Sequence, residues 1–118
     1  MRTLLLLVMI FVMKGAFAQL AEQYAAKGDS LYRQHKYKQS VLQLDSALAL
    51  APDSGGYYYK RSYVRGRLGN FKGALDDANK AMKLRPDFYD SYFLRAHVYY
   101  NTGEFAKSEA DINKALAM

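Results

Sequence analysis

Apolar and polar positions follow a helical spacing through most of this chain. Val41, Leu44 and Leu48 are separated by steps of three and four residues, and Leu75 and Ala78 continue the same rhythm in a later segment. Such steps place apolar side chains on one face of an α-helix. Together with the turn residues between the segments, the spacing predicts helices over 21–34, 38–51, 56–68, 72–84, 90–102 and 106–117.

The same pattern returns every 34 residues without a gap, in units 21–54, 55–88 and 89–118. We number the positions of each unit from Ala21, Gly55 and Tyr89. A fixed period of this length indicates stacked helical hairpins, because one hairpin cannot bury its own apolar face. The columns that define the period are aromatic at four (Tyr24, Tyr58, Tyr92) and seventeen (Tyr37, Phe71, Phe105), and small at eight (Gly28, Ser62, Ala96), twenty (Ser40, Ala74, Ser108) and twenty-seven (Ala47, Ala81, Ala115).

The turns carry signals of their own. Gly69 and Gly103 follow the first helix of their units, where a left-handed residue ends a helix and glycine adopts that conformation at little cost. His35 occupies the same place in unit one. Asp53 and Asp87 follow the second helices, and we expect them to cap the helices that come next.

The N-terminal segment has a different pattern. A basic start at Arg2 precedes an apolar run over 4–13, which is about half the ~20 residues that span a bilayer. Ala16 and Ala18 then form the A-x-A pattern of a signal-peptidase site. We predict a signal peptide over 1–18 and an exported protein, periplasmic or secreted, with no stable membrane span after cleavage. The alternative is an uncleaved segment that anchors the protein in a membrane.

With its units in uninterrupted register, the chain resembles the tetratricopeptide repeat family. The resemblance implies an all-α fold, a right-handed α-α superhelix of helix-turn-helix hairpins over 21–118, and a non-catalytic scaffold for protein–protein interaction. Arg65, Ala78 and Glu109 depart from the family's pattern of bulky or apolar residues. The residues that carry the resemblance are Tyr24, Gly28, Leu31, Ser40, Leu44, Ala47 and Pro52 in unit one, and Tyr92, Ala96, Tyr99, Ser108, Ile112 and Ala115 in unit three.

In this family the first helix of each unit lines a concave groove through positions two, five, nine, twelve and thirteen. The resemblance therefore implies a surface for a protein or peptide partner, made of Tyr32, Arg33, Tyr59, Tyr63, Arg67, Phe93, His97 and Tyr100. The competing interpretation is that these tyrosines simply pack helix on helix. Some relatives grip the carboxylates of chaperone tails with Lys and Asn where this chain has Ala25 and Asp29, so the resemblance argues against that clamp.

Composition and motifs favour no catalytic or metal chemistry. The chain has no Cys, and its His residues, His35 and His97, lack a metal-spaced partner. No phosphate-binding loop, nucleophile elbow or catalytic carboxylate pair is present, so we predict neither an enzyme nor a cofactor. The formal charge is +6, and without Arg2 and Lys14 it is +4, an excess too small to indicate a nucleic-acid partner.

Two further surfaces leave alternatives open. Basic residues concentrate between Lys60 and Arg85, which indicates either a patch for an anionic partner or a solvated face with internal ion pairs such as Asp76 with Lys80. The last predicted helix carries an apolar set for self-association or docking, consisting of Ile112, Leu116 and Met118. This set supports an alternative function, a structural or homo-oligomerising subunit of a larger cell-envelope complex.

Overall fold

A computed structural model describes all residues, 1–118. It contains six α-helices and no strand: α1 (Arg2–Arg33), α2 (Tyr37–Leu50), α3 (Gly55–Arg67), α4 (Phe71–Leu84), α5 (Asp90–Asn101) and α6 (Phe105–Leu116). Consecutive helices pack as the pairs α1–α2, α3–α4 and α5–α6, and the pairs stack through α2 with α3 and α4 with α5. The result is an elongated α-α superhelix of 59 × 33 × 19 Å. The predicted ends of α2 to α6 are confirmed to within one residue.

The first helix differs from its prediction. It begins at Arg2 rather than near residue 21, so the N-terminal segment and the first helix of unit one form a single helix of 32 residues. No proline or capping side chain interrupts the chain between them, and alanine and leucine favour helix throughout. Every side chain over residues 1–20 is exposed. The helix is long and apolar enough to cross a membrane, a property that N-terminal signal sequences share.

The small columns lie at the contact between the two helices of each pair. Positions eight, twenty and twenty-seven are buried in all units. A serine hydroxyl crosses each contact: Ser40 Oγ donates to the Gly28 carbonyl at 2.7 Å, and Ser62 Oγ donates to the Ala74 carbonyl at 2.6 Å. In unit three, Ser108 Oγ donates to the carbonyl of Ala96 at 2.8 Å. The serine therefore lies on the second helix in units one and three and on the first helix in unit two, but the hydrogen bond between the two helices is present in every unit.

The turns confirm one prediction and correct another. Gly69 and Gly103 have φ of 77° and 80°, and His35 adopts φ of 60°. The predicted aspartate caps are wrong. Ser54 precedes α3 and accepts a hydrogen bond from the Tyr57 amide at 3.2 Å, because Asp53 lies one residue too early.

The second predicted aspartate cap fails for a related reason. Asp87 lies three residues before α5, whose N-cap is Tyr89 and has no side-chain hydrogen bond. Asn70, which the sequence did not single out, caps α4 by accepting a hydrogen bond from the Gly73 amide at 3.1 Å. Capping in this chain thus depends on the residue directly before the helix.

A ladder of arginines joins the units on the side of the second helices. Arg61 holds Asp77 of its own unit through Nε and Nη2, at 2.9 and 2.8 Å, and reaches Asp45 of the preceding unit through Nη1 at 2.8 Å. Arg65, which the sequence marks only as a departure, also contacts Asp77 at 2.8 Å. The Asp77 side chain is only 4 % exposed, so its ion pair with Arg61 lies inside the packed array and holds the helices together.

The same ladder recurs one unit later at the same positions. Arg95 donates to both carboxylate oxygens of Asp111, at 2.7 and 2.6 Å, and to Asn79 of the preceding unit at 2.8 Å. The predicted ion pair between Asp76 and Lys80 is wrong, since neither residue takes part in an ion pair. Asp77, one residue along, faces the arginines instead.

Candidate functional site

A cavity of about 350 Å³ opens between α3 and α5, the first helices of their units. One wall comes from α3 and the other from α5, because residues four apart on a helix share a face. The side chains of Leu94 and Val98 are buried and close the bottom of the cavity, whereas Phe93 and His97 are exposed at its rim. The lining residues are Tyr59, Tyr63, Gly66, Arg67, Asp90, Phe93, Leu94, His97 and Val98.

A second cavity of about 410 Å³ lies between α1 and α3. It shares Tyr59 and Tyr63 with the first cavity, so the two form one groove across the first helices of all units. The Tyr63 ring meets Tyr32 edge-on at 5.5 Å, and Tyr59 meets Phe88 edge-on at 5.3 Å. These contacts hold the shared tyrosines in place between the cavities. The second cavity is lined by Asp29, Tyr32, Tyr59, Lys60, Tyr63 and Val64.

Charges in the second cavity are internally matched. Lys60 Nζ contacts the carboxylate of Asp29 at 2.7 Å, joining α3 to α1. Burial raises the pKa of the Tyr32 phenol, and the hydrogen bond from Arg67 opposes that rise. Since Lys60 and Asp29 neutralise each other, the second cavity offers a ligand mainly aromatic surface and hydroxyl groups.

The first cavity instead keeps charges that no ion pair neutralises. Arg67 Nε donates to the Tyr32 hydroxyl at 3.2 Å, and this bond raises the pKa of the guanidinium. Neither Arg67 nor Asp90 takes part in an ion pair. Burial raises the pKa of Tyr59, and the negative charge of Asp90 adds to the rise. Tyr59 therefore remains a neutral hydroxyl at neutral pH, able to donate a hydrogen bond.

Most of the residues that the sequence selects for the groove line these cavities, and two do not. Arg33 is exposed outside both cavities. Tyr100 also lies outside them and packs edge-on against Phe105 at 5.3 Å. The residues that the structure brings together are Tyr32, Tyr59, Tyr63, Arg67, Phe93 and His97.

Sequence reasoning missed residues that the groove needs. Leu94 and Val98 lie under the first cavity, and the helical steps from Leu94 to Val98 were the available signal. Lys60 lines the second cavity and forms an ion pair with Asp29. The spacing of neighbouring residues does not indicate this pair, because the partners are 31 residues apart. Ala25, at a position assigned to the groove by resemblance, is only 4 % exposed and belongs to the core with Leu44.

The basic segment from Lys60 to Arg85 is largely committed to internal contacts. Arg61 and Arg65 bind Asp77, and Lys60 binds Asp29. The Arg85 guanidinium lies over the Phe88 ring at 4.4 Å. These contacts favour the interpretation of internal pairing for this segment. No group of three His, Cys, Asp or Glu residues lies together in a way that could hold a metal ion.

Comparison with solved structures shows the fold. The TPR domain of Arabidopsis OM64 superimposes with a TM-score of 0.83 at 23% identity, over 86% of this chain and 84% of that chain. The second TPR domain of Spaghetti (RPAP3), bound to the HSP90 peptide SRMEEVD, superimposes with a TM-score of 0.84 at 14% identity, over 89% and 96%. The TPR2B domain of yeast Sti1, in a complex with pHsp70, gives 0.80 at 23% identity, over 82% and 78%.

Sequence comparison identifies the family. No curated protein matches the chain. The tetratricopeptide repeat family matches twice, over residues 25–81 and 59–118, and the two matches overlap in the middle of the array. Together they cover most of the chain, including every residue that lines the groove. The chain therefore belongs to the tetratricopeptide repeat family.

Proposed function

We propose that this protein is a non-catalytic scaffold that binds a peptide segment of a partner protein in its concave groove. The observation that carries the proposal is the continuity of the groove, in which cavities of about 350 and 410 Å³ share Tyr59 and Tyr63. Aromatic and arginine side chains supply much of the binding energy at protein interfaces. Proteins of the same fold have been solved with peptides of HSP90, which supports a peptide as the class of ligand.

The test is a comparison of captured proteins between variants of the protein without residues 1–18. The double variant Tyr59→Ala with Tyr63→Ala removes both shared rings. The matched control, Leu42→Ala with Phe105→Ala, removes two side chains that are 62 % and 60 % exposed on second helices. We expect the control to retain the partner and the tyrosine variant to lose it while its helical circular dichroism persists. Retention by a folded tyrosine variant would overturn the proposal.

The site of action that we propose is outside the cytoplasm, after cleavage behind Ala18. Support comes from the exposed apolar run over 4–13, which makes no buried contact with the array and follows a basic start. In the alternative, an uncleaved α1 holds the array at a membrane surface. The mass of the protein recovered from the exported fraction decides between them. A chain that begins at Gln19 supports cleavage, and one that keeps residues 1–18 in the membrane fraction supports the anchor.

A second candidate function, self-association or docking through α6, is favoured by one comparison between units. Position twenty-four is Leu44 in unit one and Ile112 in unit three, and position twenty-eight is Leu48 and Leu116. The unit-one residues are buried, whereas Ile112 and Leu116 are 38 % and 71 % exposed. Met118 is exposed as well. Positions twenty-four and twenty-eight are buried in unit one, which suggests that Ile112 and Leu116 are covered in the same way by a second protein surface.

The opposite face of the array limits the form that self-association takes. Val64 packs into the core of unit one together with Tyr57, and the corresponding positions of unit one are Ser30 and Gln23. A polar upstream face does not continue the stack, so α6 of one copy pairs better with α6 of another than with α1. That pairing is a closed two-fold dimer rather than a fibre.

Sedimentation of the protein without residues 1–18 tests the second candidate. We expect a dimer that Ile112→Asp converts to a monomer and that the matched control Asn113→Asp, at an exposed polar neighbour, leaves intact. A monomer at all micromolar concentrations would remove self-association and leave the groove proposal unaffected.

A further inference from the structure

The first cavity has opposite charges at its two ends. Asp90 is in the first turn of α5, and its charge acts on Tyr59, near the start of α3. Arg67 is the last residue of α3 and lies beside Tyr63 and Tyr32. Both charged groups line the cavity and neither belongs to an ion pair. A ligand that lies along α3 therefore meets a carboxylate at one end and a guanidinium at the other.

The length of the cavity sets the spacing of the charges that it can match. Tyr59, on which the charge of Asp90 acts, and Arg67 are eight residues apart on α3, which corresponds to about 12 Å at 1.5 Å per residue. An extended peptide advances about 3.3 Å per residue, so this distance corresponds to about four residues. Between the two ends the lining is apolar and aromatic, formed by Tyr63, Phe93 and the buried Leu94.

We propose that the groove selects a dipolar peptide segment, with a large apolar side chain in the cavity, a cation facing Asp90 and, about four residues away, a carboxylate facing Arg67. This inference rests on the proposed function and names the chemistry of its ligand. The apolar side chain supplies most of the affinity by leaving water between Tyr63 and Phe93. The flanking charges supply selectivity, because like charges brought together at an interface disfavour the wrong partner.

The same charges disfavour peptides of a single sign. A segment with two carboxylates brings one of them to Asp90, and a segment with two cations brings one of them to Arg67. Lys60 cannot relieve the first conflict, since its ammonium group is already neutralised by Asp29 at 2.7 Å. The second cavity is thus closer to neutral, and the selectivity is confined to the first.

Labelled peptides with identical Gly-Ser flanks test the proposal by fluorescence anisotropy on the protein without residues 1–18. The probes are Lys-Ser-Phe-Ser-Glu, Lys-Ser-Phe-Ser-Lys and Glu-Ser-Phe-Ser-Glu cores. We expect the dipolar core to bind about tenfold more tightly than either single-sign core, a difference of about 1.4 kcal/mol. Equal affinities, or no binding of any core to the folded protein, would overturn the inference.

Charge reversal gives the sharper result. Arg67→Glu should transfer the preference to the doubly basic core, and Asp90→Lys should transfer it to the doubly acidic core. Asp90→Asn, which keeps the shape of the side chain, should remove the discrimination against the doubly acidic core. Lys38→Glu, an exposed charge reversal on α2, is the matched control and should leave the order of affinities unchanged.

The tyrosine variant separates the two levels of the proposal. If Tyr59→Ala with Tyr63→Ala abolishes peptide binding while charge reversal changes no preference, the groove stands and the dipolar selectivity is wrong. If the tyrosine variant binds every core as the wild type does, the groove proposal itself is wrong.

Discussion

Arg61 donates two parallel hydrogen bonds to Asp77, Nε to Oδ2 at 2.9 Å and Nη2 to Oδ1 at 2.8 Å. The hydrogen bonds raise the pKa of the guanidinium against the opposing effect of its burial. A third bond, from Nη1 to Asp45 at 2.8 Å, ties the same side chain to the preceding unit. This geometry makes one arginine a clamp between hairpins, because only a planar guanidinium presents donors in several fixed directions.

Loss of Asp77 should destabilise the array far more than loss of its neighbour. Asp77→Ala leaves Arg61 and Arg65 without their shared carboxylate, and breaking a largely buried pair costs about 3 kcal/mol. Asp76→Ala removes an exposed carboxylate with no ion pair and should change the free energy of unfolding by less than about 0.5 kcal/mol. Denaturant titration of both variants provides the measurement. Equal effects would show that the clamp contributes nothing.

The serine that crosses each hairpin should be transferable between helices. Ser62→Ala removes the bond to the Ala74 carbonyl and should cost about 1 kcal/mol in the free energy of unfolding. Adding Ala74→Ser recreates the arrangement of Ser108 with Ala96, so the double variant should regain most of that loss. Thermal or denaturant unfolding of the single and double variants measures this. A double variant less stable than Ser62→Ala would show that the two helices are not interchangeable donors.

Substitutions at two of the turn residues with positive φ, His35 and Gly69, should change the free energy of unfolding in opposite directions. His35→Gly should stabilise the protein by up to about 1 kcal/mol, since φ of 60° costs a residue with a Cβ atom more than it costs glycine. The gain is reduced by loss of the hydrogen bond between His35 Nδ1 and the Tyr37 hydroxyl, 2.9 Å long. Gly69→Ala, at φ of 77°, should destabilise by about 1 kcal/mol. Shifts of the same sign in the two unfolding titrations would contradict this account.

The sequence predicts the helical array well because its signals are local and repeated. Every unit places small residues at the same columns, and the buried contacts at Gly28, Ser62 and Ala96 follow from that period. Helix ends follow from the glycines that adopt positive φ. The sequence predicts less well which residues face the groove, because the same position of the repeat is buried in the core in one unit and lines the groove in another. Ala25 and Tyr59 occupy the same column, yet only Tyr59 reaches the groove.

What the sequence could not predict depends on contacts between distant residues. The carboxylate that pairs with Arg61 lies 16 residues away on the neighbouring helix α4, and the spacing of residues within one helix does not indicate which residue of another helix a side chain contacts. The continuity of α1 was also missed, since the repeat starts at residue 21 whereas the helix starts at Arg2. Repetition identifies a unit and says nothing about what precedes it.

Alkaline pH should weaken the fold partly through Tyr59. Its pKa is raised above the ordinary value of a tyrosine, mainly by burial, so the folded state holds the phenolic proton more tightly than the unfolded state. The associated stability is complete below about pH 10 and is lost as the pH rises through the folded-state pKa. We expect Tyr59→Phe to lose less stability than the wild type between about pH 8 and about pH 11 in denaturant titrations. Identical losses would contradict the assignment.

The most direct test of the groove places a photo-crosslinking amino acid at Phe93, on the rim of the first cavity, and separately at Leu42, exposed on α2. Each variant is incubated with the captured partner and irradiated, and the fraction of protein crosslinked to the partner is measured. We expect efficient crosslinking from position 93 that Tyr59→Ala with Tyr63→Ala abolishes, and only background crosslinking from position 42. Equal crosslinking from both positions, or more from position 42, would contradict a partner held in the concave groove.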